Sequence, residues 1–196
     1  MRSLIFSKVF LRDVAQIGGL ALVIYLIASF SIQTVHVVGS SMLPTLANND
    51  LLVASKVDYK LHAPERGDIV ILQNPGQASE DFIKRVIGLP GEHVLIRDAR
   101  VFINGSQLME PYLNRPWTLT REWPINPSQP DGEIVPAGSF FVLGDNRDHS
   151  SDSRFFGYIS LSQIQGKAVL RFWPLATSQL LNTRPYFATG DNPPTN

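Results

Sequence analysis

Polar and apolar positions divide this chain into two unlike parts. Between Asp13 and Asp50 there is no Asp, Glu, Lys or Arg, and Ile17–Ile32 is continuously apolar or weakly polar. Extended to Val14 and Val35, this stretch supplies the roughly 20 residues, at about 1.5 Å each, that cross a hydrocarbon core of about 30 Å. Beyond it the helical signal fades and short runs rich in Val, Ile and Phe take over. Leu51–Ser55, Ile69–Leu72, Asp81–Ile87, His93–Ile96, Val101–Ile103, Phe140–Leu143 and Ala168–Phe172 each have strand length. Turn residues separate them, most clearly Asn104-Gly105, a pair suited to the two positive φ angles of a type I′ hairpin. Strands without long intervening helices predict an all-β domain, a small sandwich or barrel, behind one N-terminal transmembrane helix.

The boundaries follow from this pattern. Residues 1–13 precede the span, 14–35 form it, 36–174 form the β domain, and 175–196 are expected to be a disordered tail. Residues 110–136, rich in Pro and Trp and including Trp117 and Trp123, are expected to be an insertion or β-arm. Arg2, Lys8 and Arg12 precede the span, and no basic residue follows it until Lys56. The positive-inside rule then predicts a cytoplasmic N-terminus and an extracytoplasmic domain. A cleaved signal peptide or a buried core helix would share the apolar composition. The first has a shorter apolar region, and the second would be more amphipathic.

Charge and cysteine content narrow the chemistry. The 17 Lys and Arg balance 17 Asp and Glu in 196 residues, so no net field draws the chain to nucleic acid. With no cysteine, thiol nucleophiles, thiolate metal sites and disulfides are excluded. The four histidines are scattered, and neither a metal nor an organic cofactor is expected.

Three segments carry candidate chemistry. In Gly39-Ser40-Ser41-Met42-Leu43-Pro44, a glycine and a proline bracket a serine whose hydroxyl can be fixed beside a backbone N–H. Taken alone, it also reads as ordinary linker. In Asp81–Ile87, alternation puts Phe82, Lys84 and Val86 on one face of a strand that is apolar on both. Burial would lower the pKa of Lys84 and fit it to act as a base; the alternative is that Lys84 snorkels or pairs with Asp68 or Asp81. In Gly144–Gly157, Asp145, Asp148 and Asp152 nearly cancel Arg147 and Arg154, predicting a loop rigidified by ion pairs. A solvated or calcium-binding loop is the competing reading, although arginines would compete for the carboxylates.

In this order after one N-terminal span, the segments resemble bacterial type I signal peptidase. Ser41–Leu46 resembles the family's nucleophile box, Arg66–Val70 the strand-entry box, Lys84–Gly91 the lysine box and Gly144–Gly157 the Gly-Asp-Asn-Arg-Asp box. The resemblance covers about Val35 to Pro174. It implies a membrane-bound serine endopeptidase that cuts secreted preproteins after small-x-small sites, with Ser41 as nucleophile and Lys84 as general base. It further implies that Ser150 orients Lys84, that the Ser41 backbone beside Gly39 forms the oxyanion region, and that Asp145, Asp152 and Arg154 are architectural. Two positions depart from some relatives. Gly39 stands where a second oxyanion hydroxyl can occur, and His149 stands where an asparagine is common. The single span and short insertion suggest a Gram-positive-like or cyanobacterial form. The implied partners are preproteins, the lipid bilayer (with Met42 and Leu43 resting on it) and proximity to the secretion translocon, at the bacterial plasma membrane. A pilus-type Ser-Lys processing protease would share these features, whereas a non-catalytic tethered binding domain would leave Ser41 and Lys84 dispensable.

Overall fold

A computed structural model describes residues 2–77, 79–114, 116–117, 121–125, 129 and 131–187. Helix α1 spans Arg2–Ser31, and its Arg12–Ser31 part is long and apolar enough to cross a membrane. Side chains such as Ile17, Leu20, Val23 and Ile24 are exposed, as expected of a segment whose solvent is not water. The helix ends at Ser31, four residues short of the expected boundary at Val35. Ile32–His36 forms strand β1, because β-branched Ile32, Thr34 and Val35 favour the pleat and the backbone pairs with the next strand. Lys56 ties the junction, donating from its backbone N–H to Ser31 O and from Nζ to Ser29 O.

The remaining strands are β2 (Leu51–Ser55), β3 (Ile69–Gln73), β4 (Asp81–Gly88), β5 (His93–Arg97), β6 (Arg100–Ile103), β7 (Ser106–Met109), β8 (Glu133–Ile134), β9 (Ser139–Leu143), β10 (Ile159–Ser160), β11 (Ile164–Trp173), β12 (Gln179–Leu180) and β13 (Tyr186–Phe187). Two one-turn helices, α2 (Asp58–Leu61) and α3 (Ser153–Phe156), interrupt them. One antiparallel sheet runs β1-β2-β11-β3-β4-β9-β10, with β12 added to β11; the other runs β13-β7-β6-β5-β8. Asn104 and Gly105 take φ of 50° and 78° between β6 and β7, as the hairpin reading expects. Apolar side chains of both sheets meet in a shared core of Ile87, Phe141 and Leu143 against Val94, Ile96, Val101, Ile103 and Leu108. The all-β, sandwich-like expectation therefore holds.

In the segment 110–136, expected to be an insertion or β-arm, the described Trp117, Trp123 and Val135 pack on that core. The segment's only regular pairing among the described residues is β8 and a bridge from Trp123 to Ile96. Trp123 lies 5.2 Å from the Phe141 ring and edge-on to Tyr158.

Residues 175–187 overturn the expected disordered tail; 188–196 lie outside the described residues. The chain after Pro174 forms β12 and β13 and buries Leu181 and Phe187. Arg184 pairs with Asp68, and Thr183 O accepts from Arg85. The expectation rested on the Pro- and Asn-containing end Gly190–Asn196, and residues 175–187 instead have apolar side chains to bury and specific partners. Replacing Phe187 by Ala is expected to lower unfolding stability by about 3 kcal/mol, measured by denaturant titration of the full chain in detergent; an unchanged midpoint would mean that β13 is not part of the core.

Candidate active site

The loop after β1 brings Ser41 to the mouth of a groove, and β4 brings Lys84 to meet it. Gly39, at φ +94°, turns the chain in a conformation that a side chain would strain. Met42 and Leu46 are buried and pin the loop to β2, β3 and β11. Lys84 Nζ donates to Ser41 Oγ at 3.1 Å and to Ile83 O at 3.1 Å, and lies 4.7 Å from the centre of the Phe82 ring. The Lys84 residue is 2% exposed. Burial lowers its pKa from 10.5 to about 8, against the opposing charges of Asp152 and Asp145. The alternative partners are occupied elsewhere: Asp68 pairs with Lys167 and Arg184, and Asp81 accepts from Gln165.

Arg85, the next residue, receives the opposite treatment. Its Nε and Nη2 form a fork on Asp145 at 2.9 and 2.7 Å, and Nη1 donates to Gly67 O and Thr183 O. Thr45 Oγ1 donates to the same Asp145 carboxylate, and Tyr112 stacks 3.8 Å from the guanidinium carbon. Burial disfavours the charge, but hydrogen bonding and attraction to Asp145 outweigh it and raise the Arg85 pKa. This pair joins the lysine strand to the segment after β9, and Thr45 ties the loop that carries Ser41 to the same carboxylate.

The segment after β9 closes round Ser41. Gly144 has no room for a side chain, since a Cβ would stand 2.2 Å from Ser150 Oγ and 2.5 Å from Ser41 O. Asn146 donates from its backbone to Ser41 O and from Nδ2 to Ser40 O. Arg147 donates to Gly144 O and forks onto Glu110, with Trp117 over its guanidinium. Asp152 caps α3, holds Arg154 at 2.8 Å through two contacts, and accepts from Gly144 N.

The structure thus brings Ser41, Lys84, Gly39, Asp145, Asp152, Arg154 and Ser150 together. It also refines several expectations. Asp152–Arg154 is an ion pair internal to the loop, whereas Asp145 and Arg147 reach outside it, to Arg85 and Glu110. Ser150 makes no hydrogen bond to Lys84, and its buried hydroxyl has no partner among the described residues. The Gly39 N–H is spent on Asn48 Oδ1 and is not free for an oxyanion. Met42 is 2% exposed and therefore unavailable to lipid, whereas Leu43 is 38% exposed. Sequence reasoning missed Arg85, Thr45, Glu110 and Tyr112. One signal was available, because an arginine on a strand covered on both faces must find a buried acceptor.

The groove, of about 590 Å³, is lined by Gln33–Met42 on one side and Asp81–Lys84 on the other, with Ile71, His149 and Ser151. A hydroxyl held against a desolvated amine in an open groove of a β domain can perform acyl transfer, which is the arrangement of a serine peptidase. The family model described as signal peptidase, peptidase S26, matches residues 11–173. The chain is 45% identical over 166 residues to a signal peptidase I of Leptolyngbya laminosa, covering 80% of this chain and 77% of that protein. It is 40% identical over 144 residues to a signal peptidase I of Bacillus caldolyticus, covering 69% and 76%. A crystal structure of a signal peptidase I from Enterococcus faecalis is 36% identical, with a TM-score of 0.46 over 54% of this chain and 97% of that one. The chain belongs to the peptidase S26 signal peptidase family. Neither the pilus-type nor the non-catalytic alternative is favoured by these relatives.

Removing one member of a buried ion pair strands the other's charge. Asp145→Ala is expected to cost about 3–5 kcal/mol of stability, read as a lowered thermal midpoint; a loss below 1 kcal/mol would mean that Arg85 is already solvated.

Proposed function

We propose that Ser41 and Lys84 carry the hydrolysis by which this signal peptidase removes signal peptides from secreted preproteins. The observation that carries this reading is the 3.1 Å contact between Lys84 Nζ and Ser41 Oγ, at a lysine whose pKa lies near 8. When the amine is neutral the contact reverses, the Ser41 hydroxyl donating to the Nζ lone pair. Oγ attacks the scissile carbonyl carbon as its proton passes to Nζ, and the developing oxyanion faces the Ser41 N–H. The ammonium returns the proton to the leaving amine as the C–N bond breaks. Water, deprotonated by Lys84, then attacks the acyl ester and frees Ser41. Ser150 supplies a further acceptor for the amine, a role supported by its unpartnered buried hydroxyl. Asp145, Asp152 and Arg154 hold the two loops in register.

Substrate fits as an extended segment along the groove, where β1 is the end strand of its sheet. Apolar walls such as Met42, Ile71 and Ile83 suit small side chains next to the cut. Helix α1 anchors the chain, with the N-terminus cytoplasmic because Arg2, Lys8 and Arg12 precede the span. Exposed Val38 and Leu43, flanking Ser41, meet the outer membrane surface, where a preprotein held by its own apolar segment presents the cut site near the translocon.

Ser41→Ala and Lys84→Met are each expected to reduce cleavage of a purified preprotein by roughly 10⁴-fold or more, with the cut site read by mass; cleavage surviving in either variant rules out the pair. Because the base works deprotonated, kcat/KM is expected to rise about tenfold per pH unit up to about 8 and then level off. A limb near 10.5 would mean a solvated lysine.

A further inference from the structure

A second cavity, of about 340 Å³, lies beyond the catalytic groove. The groove is lined as far as Met42, and the second cavity begins at Leu43 and Pro44. Its other walls include Leu113, Asn114 and Trp117 of the insertion and Asn146, which also holds the backbone of Ser40 and Ser41. The two cavities therefore flank the nucleophile.

Chain direction tells which part of a substrate each receives. The groove starts at Gln33, next to the end of α1 at Ser31, and finishes at Ser41. A preprotein's membrane-held segment lies N-terminal to its cleavage site, so the substrate enters at the Gln33 end and reaches Ser41 at the scissile bond. What continues past Ser41 is the mature protein. We propose that the cavity between Leu43 and Trp117 binds the first two or so residues of the mature chain and prefers an apolar side chain there. This deepens the proposed function and rests on its assignment of Ser41 as the cutting residue.

The lining chemistry supports an apolar occupant. Leu43, Pro44, Leu113 and Trp117 supply the walls. Of the charged residues that line the cavity, Asp145 is matched by Arg85 and Arg147 by Glu110, while the carboxylate of Asp148, also in the lining, disfavours an acidic substrate residue. The amides of Asn114 and Asn146 stand where the backbone of an extended peptide can bond. The Trp- and Pro-rich insertion, whose contribution composition alone left open, becomes one wall of the substrate path.

The test uses the full chain in detergent and peptides identical up to the scissile bond. They carry one or four mature residues beyond it, with Leu or Asp at the second mature position. For the native protein we expect kcat/KM to be about tenfold higher for the four-residue Leu peptide than for the one-residue peptide, and also higher than for the four-residue Asp peptide. The Ser41→Ala protein should show the same order in Kd, read from tryptophan fluorescence, whether or not Ser41 cuts. In Leu113→Asp the advantage of the long Leu peptide should vanish. Equal affinity for all three peptides in Ser41→Ala overturns the cavity's role. Preserved affinity differences with cleavage still proceeding in Ser41→Ala overturn instead the assignment of Ser41.

Discussion

Burying a cation costs free energy unless its donors find acceptors, and β4 buries two in succession. Arg85 is fully provided for, with a carboxylate fork, two carbonyls and an aromatic face. Among the described residues, Lys84 has a hydroxyl and a carbonyl as acceptors. The displacement of its pKa from 10.5 to about 8 corresponds to about 3 kcal/mol of unfavourable charging. The fold meets that cost elsewhere, and the proposed reaction uses what it leaves, an amine whose neutral, proton-accepting form is well populated near pH 8.

The remaining architecture keeps the amine and the hydroxyl in place. Arg85 and Asp145 bind β4 to the loop after β9, and Thr45 joins the Ser41 loop to the same carboxylate. Gly144 lets β9 approach within van der Waals reach of Ser41 O, and Asn146 clasps the same carbonyl. Arg147 and Glu110 carry that grip into the insertion, and the chain after Pro174 supplies Thr183 O to Arg85. Residues far apart in sequence thus converge on one short contact. Loss of any one partner is felt both in stability and in the alignment of the pair.

Strand positions, the Asn104-Gly105 hairpin and the shared face of Phe82 and Lys84 were legible because each follows from local periodicity or turn chemistry. So were Ser41 and Lys84 as candidates, through a four-motif resemblance that no single segment could replace. What stayed hidden depends on partners distant in the chain. Nothing local to Asp145 identifies Arg85 as its partner. Leu181 and Phe187 sit just before the Gly190–Asn196 end whose composition reads as disorder, yet the core has a place for them. The span overran because Ile32–Val35 carries no charge to end it, and pairing with β2 separates it from the helix.

The central claim is that the Lys84 amine is desolvated and titrates far below an ordinary lysine. Its side-chain nitrogen or adjacent carbon can be followed by NMR across pH in isotope-labelled full-length protein, with the signal assigned by its loss in Lys84→Arg. A midpoint near 8 agrees with the account; a midpoint near 10.5 would show an amine open to water and contradict it.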